Sequence, residues 1–420
     1  MNRRVLIVNS QSIYYNNATG ITLRSIFEKM NTSSLMEVYW MDDKEEHKIK
    51  NIKLGYRKYS FAAFLIKKRN NKINNAIKRK TSDNKHTKET ITTYIRQYLA
   101  LIPDRSKLVI RKNEMKKIKK FSPDVIYTLG GSLNALRMAY ELSTEFNIPI
   151  IVHHMDNWMH GIQWENNPFL NNYKKKLREM CKKCYTRSNI SLTISEEMAN
   201  DFSKEYGVKH VAIMNCVNVK EYECGENNNS VFRFTYAGGL HLDRYRALID
   251  IANVIEKYND KGSQKAELVI YTGEDNIRMF GSMFDDYLST KMHKVVPHER
   301  IKEVYQDADA LIHVESKSLE ENDFFKYSVS TKIPEYLSTG RPVLYYGPDS
   351  ICLYRLLNNN KIAFVASDIE TINNQINQII KNKLLVNVIT SNAKSYSYNN
   401  YDSSIAIKKM KKAIEKSTNG

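Results

Sequence analysis

The stretch that decides the fold is Tyr327–Leu344, YSVSTKIPEYLSTGRPVL. It predicts a loop, a short helix and a buried strand in direct succession. Pro334 falls in the first turn of the helix, where a missing backbone N–H costs little, and Gly340 is suited to end it. The apolar run Pro342–Tyr346 is typical of a buried strand. This unit predicts an α/β protein, and the rest of the chain repeats its pattern.

Short apolar runs alternate with longer amphipathic segments through most of the chain. The runs predict buried strands and the segments between them predict helices. The predicted strands are Val5–Val8, Val125–Leu129, Pro149–His153, Leu192–Ile194, Val211–Met214, Phe232–Ala237, Glu267–Tyr271, Ala310–Val314 and Pro342–Tyr346, and the predicted helices include Thr22–Met30, Leu133–Phe146, Asn171–Thr186, Glu196–Tyr206, Arg246–Asn259 and Thr331–Ser338. Because strands alternate with helices, we expect parallel sheets covered on both faces.

The chain is long enough for two domains. Its 420 residues exceed a single compact domain, since domains run to roughly 100–200 residues each. The strand series restarts after the polar segment Glu226–Ser230. We therefore predict two Rossmann-like, doubly wound domains, at residues 1–228 and 229–390. A Lys-rich segment over 391–420 is predicted to form a C-terminal helix that packs back on the first domain.

Composition excludes several protein classes. An apolar content of 42% is enough to build real cores, which argues against wholesale disorder. The longest uncharged apolar run, Phe61–Ile66, is far shorter than the roughly 20 residues that span a bilayer. The first apolar stretch, Val5–Val8, is too short for a secretion signal. Together with five cysteines, an odd number, these features predict reduced thiols and a cytoplasmic location.

The positive charge of the chain is confined to one region. Lys44–Lys120 contains 24 Lys and Arg against 6 Asp and Glu, which accounts for the whole net charge of +18. This basic insertion, at about 44–120 in the first domain, includes Lys67, Lys68 and Arg69 beside aromatic and aliphatic residues. A helix of that composition is expected to contact an anionic membrane surface. The alternative is a solvated helical insertion packed on its own domain, and no motif accompanies the charge that would indicate nucleic acid.

Two segments of the second domain are suited to bind a diphosphate. Gly238 and Gly239 follow a predicted strand and let a ligand approach the strand end, while Arg244 offers a forked donor. Further along, Ser330 or Thr331 is expected to cap the short helix, whose first backbone N–H groups form an anion site. Alternative interpretations are an arginine in a surface loop and ordinary helix capping.

Further candidate residues lie one turn into that helix and in the first domain. Glu335 is placed to accept hydrogen bonds from a ribose diol. His153 ends a predicted strand in the cluster His153–Trp158, HHMDNW, and is suited to exchange hydrogen bonds with a substrate hydroxyl near neutral pH. Its alternative is a satisfied buried histidine, and His154 is the alternative in register. Gly20 precedes a helix, where it is either an approach point for an anion or a turn glycine.

Taken in order, these motifs resemble a glycosyltransferase of the GT-B architecture, similar in style to glycosyltransferase family 4. The resemblance covers most of the chain outside the basic insertion. It is carried by ATGI at Ala18–Ile21, PDVIYTLGG at Pro123–Gly131, IPIIVHHMDNW at Ile148–Trp158, LTISEEMANDFSKEYGV at Leu192–Val208, IMNCVNVKEY at Ile213–Tyr222, YAGGLHLDR at Tyr236–Arg244, DADALIHVES at Asp307–Ser316 and STKIPEYLSTGRPVL at Ser330–Leu344.

The resemblance implies two Rossmann-like domains facing a cleft, with a nucleotide-sugar donor, UDP- or GDP-linked, held mainly by the second domain. It assigns Arg244 to the diphosphate and Glu335 to the ribose, with His153 contacting the transferring sugar. The remaining donor contacts that it implies are the backbone of Ser330 and Thr331 at the phosphates, Gly20 and Gly238-Gly239 near the diphosphate, and Val296 near the base.

The sequence departs from the family at two positions. The family often has a glutamate eight residues before the ribose-binding one, and this position is Tyr327 here. The family's arginine directly after the first loop glycine is Gly239. These departures favour, as the alternative, a non-catalytic GT-B-like binding subunit, and a nucleotide-sugar epimerase is a third possibility.

The function predicted is sugar transfer from a nucleotide-sugar donor to a glycan or lipid-linked acceptor in surface polysaccharide assembly. By analogy with the family, the reaction retains the anomeric configuration. No D-x-D motif lies between apolar strands, so no metal and no cofactor besides the donor substrate is expected. The expected location is cytoplasmic, at the inner face of the plasma membrane.

Overall fold

The structure is a computed structural model that describes residues 3–41, 46–54, 91–105, 107–160, 167–261, 264–317 and 323–419. The chain divides into two compact units. One comprises Met1–Asn215 with Ala406–Gly420, and the other comprises Cys216–Ile405.

Unit 1 contains a parallel sheet that has seven strands among the described residues. The strand order is β3-β2-β1-β4-β5-β6-β7, so the direction of strand addition reverses between β1 and β4. The strands are β1 Val5–Val8, β2 Leu35–Tyr39, β3 Lys50–Lys53, β4 Val125–Leu129, β5 Ile150–His154, β6 Ile190–Thr193 and β7 Lys209–Ala212. The helices are α1 Ala18–Phe27, α2 Ile91–Ala100, α3 Ile102–Arg105, α4 Lys112–Phe121, α5 Leu133–Phe146, α6 Asn171–Tyr185 and α7 Glu196–Tyr206.

Unit 2 contains a parallel sheet of six described strands in the order β10-β9-β8-β11-β12-β13. The strands are β8 Phe232–Ala237, β9 Ala266–Thr272, β10 Thr290–Lys294, β11 Ala310–Val314, β12 Val343–Tyr346 and β13 Phe364–Ala366. The helices are α8 Val219–Tyr222, α9 Arg244–Lys261, α10 Glu274–Phe280, α11 Ile301–Asp307, α12 Ile333–Ser338, α13 Cys352–Asn359, α14 Ile369–Lys381 and α15 Lys383–Asn400. Helix α16, Ser403–Thr418, begins in unit 2 and lies mostly in unit 1.

Local chemistry starts and stops these helices as the sequence suggests. The Ser132 side chain accepts a hydrogen bond from the backbone of Ala135 at the start of α5, and Ser195 does the same for Met198 at the start of α7. Gly207 ends α7 with φ +68°, a left-handed conformation that favours glycine. The inner strands of both sheets are buried on both faces, and this architecture confirms two Rossmann-like, doubly wound domains.

The division into units differs from the predicted domain bounds. The predicted linker Glu226–Ser230 lies inside unit 2, where side chains of this segment form hydrogen bonds with the rest of the unit. Asn227 and Asn229 each donate a side-chain hydrogen bond to the carbonyl oxygen of Asp307, at 3.1 and 2.9 Å. At the other end, α15 belongs to unit 2 and the last residues, from Ala406, belong to unit 1.

Lys67, Lys68 and Arg69 lie outside the described residues, so the predicted membrane contact stays a prediction. Within the described ranges, no helix is both long enough and apolar enough to cross a bilayer.

Candidate functional site

The candidate site lies in unit 2 where strand order reverses, at the carboxyl ends of β8 and β11. Ligands of doubly wound sheets bind at this switch point. Three segments meet there: the Gly238-Gly239 loop after β8, Glu315 after β11, and Lys332 just before α12. The sheet brings β8 and β11 side by side, with Thr235 opposite Leu311.

Arg244 is held by a buried carboxylate. It is the first residue of α9, and its Nη2 donates to Glu315 Oε2 at 2.8 Å while its Nε donates to the same oxygen at 3.2 Å. His313 Nε2 donates to the other oxygen, Oε1, at 3.0 Å. Burial alone would raise the pKa of Glu315, but the His313 hydrogen bond and the charges of His313 and Arg244 lower it to about 2. The Arg244 Nη1 group makes no hydrogen bond within the described part of the chain, so it remains available to a ligand.

Lys332 places a second cation in the same group. Its Nζ donates to the carbonyl oxygen of Ala237, the last residue of β8. Burial, followed by the positive charge of Arg244, lowers the pKa of Lys332 to about 8. Only one of its three N–H donors is used by this bond. The fold therefore keeps two partly buried cations close enough to repel each other.

The glycine loop gives these cations access to the strand end. A Cβ atom at Gly238 would lie 2.9 Å from Lys332 Nζ and 2.6 Å from Tyr236 Oη. A side chain at this position would displace the lysine amine. Gly238 is therefore needed for the close approach of Lys332 to β8, as well as leaving room for a ligand.

The predicted caps of the short helix are wrong. Helix α12 begins at Ile333 with Lys332 as its N-cap residue, and no side chain caps it. Ser330 instead accepts from the backbone N–H of Lys332 at 3.4 Å, and its carbonyl accepts from Ile333 at 3.1 Å. Ser330 and Thr331 thus form the turn before the helix. Pro334 falls in the first turn as predicted.

Glu335 is buried, with 6% of its surface exposed. Tyr305 Oη donates to Glu335 Oε2 at 2.7 Å. Tyr222 lies near the same carboxylate, and burial, followed by the charge of Glu335, raises the pKa of Tyr222. Because a carboxylate accepts several hydrogen bonds, the Tyr305 bond does not by itself exclude a ribose hydroxyl from Glu335. The ribose role of Glu335 stays a prediction.

Val296 is not brought into this group. It follows β10, the edge strand of the sheet, and is half-buried. Two strand positions separate β10 from β8. The predicted position of Val296 near a base stays a prediction.

His153 is placed by the structure as a satisfied buried histidine. It is fully buried, its Nδ1 lies 2.7 Å from Tyr127 Oη, and its Nε2 lies 3.0 Å from the carbonyl oxygen of Ile213. Burial lowers the pKa of His153 to about 4. Since both ring nitrogens are engaged, the predicted contact with the transferring sugar is not available in this structure. His154 is also fully buried, with its Nε2 2.8 Å from Tyr185 Oη.

Asp156 is the member of the HHMDNW cluster that titrates near neutral pH. It follows β5 and is partly exposed, and burial raises its pKa to about 7. Among the described residues no cation forms an ion pair with it. The cluster therefore offers a carboxyl group, rather than a histidine, for proton exchange.

Gly20 lies in the first turn of α1, where its N–H donates to Asn17 Oδ1 at 2.8 Å. A Cβ atom there would lie 1.9 Å from the carbonyl oxygen of Tyr15. This close approach of two backbone segments explains the glycine without a ligand. Its predicted role near a diphosphate is neither supported nor contradicted.

The Gly20 contact predicts a large loss of stability in Gly20→Ala. The added methyl group can be accommodated only if the backbone around Tyr15 moves, so we expect the free energy of unfolding to fall by about 1–3 kcal/mol. Thermal or urea unfolding measures this. Thr19→Ala, one position earlier in the same turn, should leave the midpoint nearly unchanged. Equal midpoints for the two variants would contradict the structure.

Sequence reasoning missed Glu315 and Lys332. Both lie in motifs that were recognised, HVES and STKIPEYL, but neither motif shows that the two residues are buried together with Arg244. The available signal was a carboxylate directly after a buried strand and a lysine directly before a short helix. Within the described ranges, no group of three or more His, Cys, Asp or Glu residues is arranged to hold a metal ion.

Comparisons with known proteins address the fold. No protein-family profile matches the chain, and no curated protein matches it in sequence. Among solved structures, it is similar to Anabaena HepE in complex with UDP (TM-score 0.63, 11% identity, covering 98% of this chain and 99% of that one). It is also similar to trehalose-phosphate synthase from Burkholderia vietnamiensis (TM-score 0.64, 9% identity, full coverage of both). A third is sucrose-phosphate synthase from Thermosynechococcus elongatus (TM-score 0.61, 10% identity, 98% of each). The chain therefore has the GT-B fold of two Rossmann-like domains.

Proposed function

We propose that the protein is a glycosyltransferase that uses a nucleotide-sugar donor, with the donor diphosphate bound at the Arg244–Lys332 group. The observation that carries the proposal is the pair of partly buried cations at the switch point of unit 2. Burial, followed by the positive charge of Arg244, lowers the pKa of Lys332, and an anion between the two cations would relieve their repulsion. HepE, which shares the fold, has been solved with UDP and with UDP-glucose.

The chemistry follows from charge development on the leaving group. As the bond to the sugar breaks, negative charge grows on the phosphate oxygens of the departing nucleoside diphosphate. The Arg244 Nη1 group and the remaining donors of Lys332 are fixed before the reaction, so they stabilise this charge without reorganising. Glu315 keeps Arg244 in place, and Gly238-Gly239 leave room for the phosphates. Retention at the anomeric carbon rests on the resemblance to the family.

The proposal predicts selective stabilisation by a nucleotide sugar. A ligand that binds the native state raises the melting temperature, and saturation at 100 times Kd adds about 2.7 kcal/mol. Thermal unfolding should be measured against UDP-, GDP- and CDP-sugars, with the free sugars as controls. We expect the sugars of one nucleotide base to raise the melting temperature. We also expect the corresponding nucleoside diphosphate to be released when acceptor is added. No shift with any nucleotide sugar would overturn the proposal.

The acceptor is proposed to be a glycan or a lipid-linked glycan of a surface polysaccharide. This part rests on the basic, aromatic composition of Lys44–Lys120, which suits the anionic inner face of the plasma membrane. On this proposal the protein is cytoplasmic and peripheral to the membrane.

One observation favours a non-catalytic binding subunit as the second candidate. Tyr327 stands where the family often has a glutamate, and it is buried beneath Lys326, whose Nζ lies 4.8 Å from the ring centre. A binding subunit would be stabilised by the nucleotide sugar but would release no diphosphate with any acceptor. The stabilisation and release assays above separate the two candidates.

A further inference from the structure

Unit 1 contains an apolar pocket that the proposed donor site does not use. Its volume is about 540 Å³, within the range of roughly 300–1,000 Å³ typical of ligand sites. The lining residues are Ile95, Tyr98, Leu99, Arg105, Phe169 and Asn172. Ile95 and Phe169 are large apolar side chains, yet 45% and 48% of their surfaces are exposed. Exposed apolar residues grouped around a cavity indicate a binding surface.

The sequence of α2 creates one wall of the pocket. Ile95, Tyr98 and Leu99 follow a spacing of three and four residues, so they lie on one face of the helix. The opposite wall is the turn Pro168–Leu170, which presents Phe169.

A buried amide fixes the distance between these walls. Asn167 Nδ2 donates at 2.8 Å both to the carbonyl oxygen of Tyr94 and to Gln97 Oε1, and Asn167 Oδ1 accepts from Phe169 N–H at 3.0 Å. The same side chain therefore ties α2 to the turn that carries Phe169. The pocket is built by specific contacts and is not a gap between loosely packed segments.

Arg105 is the one charged group that lines the pocket among the described residues. Its guanidinium carbon lies 4.6 Å from the centre of the Tyr98 ring. The guanidinium is half-buried, and no carboxylate in the described ranges forms an ion pair with it. Because stacking uses the face of the guanidinium, its N–H groups remain for an anion. The neighbouring Asp104 is already engaged, since it accepts from Ser132 Oγ and Tyr173 Oη at 2.5 and 2.7 Å.

The surroundings are also basic. Lys175 and Lys176 follow Asn172 on α6 by three and four residues, so they extend the same face of that helix. Arg96 is exposed beside Ile95 on α2. This cavity is apolar, its lining includes a guanidinium with no carboxylate partner among the described residues, and basic residues surround it. Such a site is complementary to a molecule with a hydrocarbon chain and an adjoining phosphate.

We propose that this pocket binds the lipid portion of a lipid-linked acceptor, with the hydrocarbon chain against Ile95, Leu99 and Phe169 and its phosphate on Arg105. The inference deepens the proposed function and rests on it for the identity of the acceptor. The site itself is a binding site for a monomeric anionic lipid, which can be tested without any sugar donor.

The test measures binding of dodecyl phosphate, kept below its micelle concentration, to the full chain by calorimetry. Decyl and octyl phosphate should bind progressively more weakly, by about fourfold for each methylene lost from the pocket. Inorganic phosphate should not compete, because the charge alone provides too little contact. Dodecanol should bind more weakly than dodecyl phosphate, because it lacks the charge that Arg105 recognises.

Variants divide the site into its two parts. Arg105→Met should weaken the binding of dodecyl phosphate about tenfold and leave the affinity for dodecanol unchanged, since only the charge contact is lost. Phe169→Ala should weaken both ligands. Two control variants should bind both ligands like the parent protein. Lys107→Met removes an exposed lysine two residues from Arg105, and Leu288→Ala removes a leucine in unit 2 that is 91% exposed.

The outcomes separate this site from the other proposals. Absence of dodecyl phosphate binding, equal binding by Arg105→Met, or full competition by inorganic phosphate would overturn the lipid pocket. A variant with Lys67, Lys68 and Arg69 changed to alanine should bind the monomeric probe normally, even where it binds anionic vesicles poorly. Arg105→Met should keep the stabilisation by nucleotide sugar. If that stabilisation is missing in the parent protein while the probe binds, the donor proposal fails and the lipid site stands.

Discussion

Replacing Arg244 by methionine is expected to lower kcat/KM for sugar transfer by about 100-fold or more. The guanidinium is a fixed donor at the proposed diphosphate site, and loss of one such donor typically raises the barrier by about 3–4 kcal/mol. Steady-state release of nucleoside diphosphate measures the effect. Arg246→Met is the matched control, because Arg246 lies on the same helix with 65% of its side chain exposed and should be dispensable.

A structural effect of this substitution must be separated from a chemical one. Without Arg244, His313 is the one side chain of the described ranges that still donates to the buried carboxylate of Glu315, and breaking a buried ion pair destabilises proteins by roughly 3–5 kcal/mol. The double variant Arg244→Met with Glu315→Gln removes both charges and should recover much of the stability without recovering activity. Recovery of activity in the double variant would show that Arg244 acts only in folding.

Glu315→Gln alone tests whether the carboxylate positions Arg244. The guanidinium keeps its charge but loses its strongest hydrogen-bond acceptor, so kcat should fall more than the affinity for donor. Arg244→Lys should also be impaired, because an ammonium group does not reproduce the forked contact with Glu315. Full sugar-transfer activity in the Arg244→Lys variant would show that only the charge matters.

The fold was predictable where burial and sequence pattern coincide. β1 is a continuous apolar run and β4, β8 and β11 are mostly apolar, and the structure places all four strands at the predicted residues. The strands β3 and β10 were not predicted, because they lie at sheet edges and carry mostly polar, exposed residues. The strand β2 was missed for another reason: Glu37 interrupts its apolar pattern. Its buried carboxylate is satisfied by Ser12 Oγ at 3.0 Å and the backbone N–H of Ile13 at 3.1 Å.

The candidate site was predictable only in its local parts. The glycine loop and Arg244 stand out because they follow a strand within a few residues. The partners of Lys332 and His153 are distant in sequence, so no local pattern could identify them. Lys332 bonds to Ala237, 95 residues away, and His153 contacts Tyr127 and Ile213, 26 and 60 residues away. The environment of each side chain, and hence its protonation, is a property of the tertiary fold.

The affinity for the donor is expected to fall as the pH rises through about 8, because the ammonium form of Lys332 binds the diphosphate. The bound anion favours the charged form, so donor binding should take up protons in this range. Calorimetry measures this uptake of protons. The nucleotide sugar that stabilises the protein most is titrated in two buffers of different ionisation enthalpy, from about pH 6.5 to about pH 9. Lys332→Arg should flatten the pH dependence, and Lys332→Met should bind the donor weakly throughout.

Lys294→Met is the matched control, because Lys294 is an exposed lysine of the same unit, with 73% of its side chain accessible and an ion pair to Glu274. It should keep the parent pH profile. A parent profile that is flat between about pH 7 and about pH 9 would remove Lys332 from the diphosphate site.

In the absence of ligand, the lowered pKa of Lys332 predicts that stability changes with pH in the opposite direction to donor affinity. Its pKa is lowered from 10.5 to about 8 by folding, so between these values the unfolded chain binds more protons than the folded one. The contribution of Lys332 to the free energy of unfolding therefore increases as the pH rises across this window, while donor affinity decreases. Lys332→Met should remove the Lys332 contribution from both slopes, which is measured as the difference between the parent protein and this variant. A buried lysine with a purely structural role would give the stability slope alone, so only the two slopes together identify Lys332 as a ligand of the diphosphate.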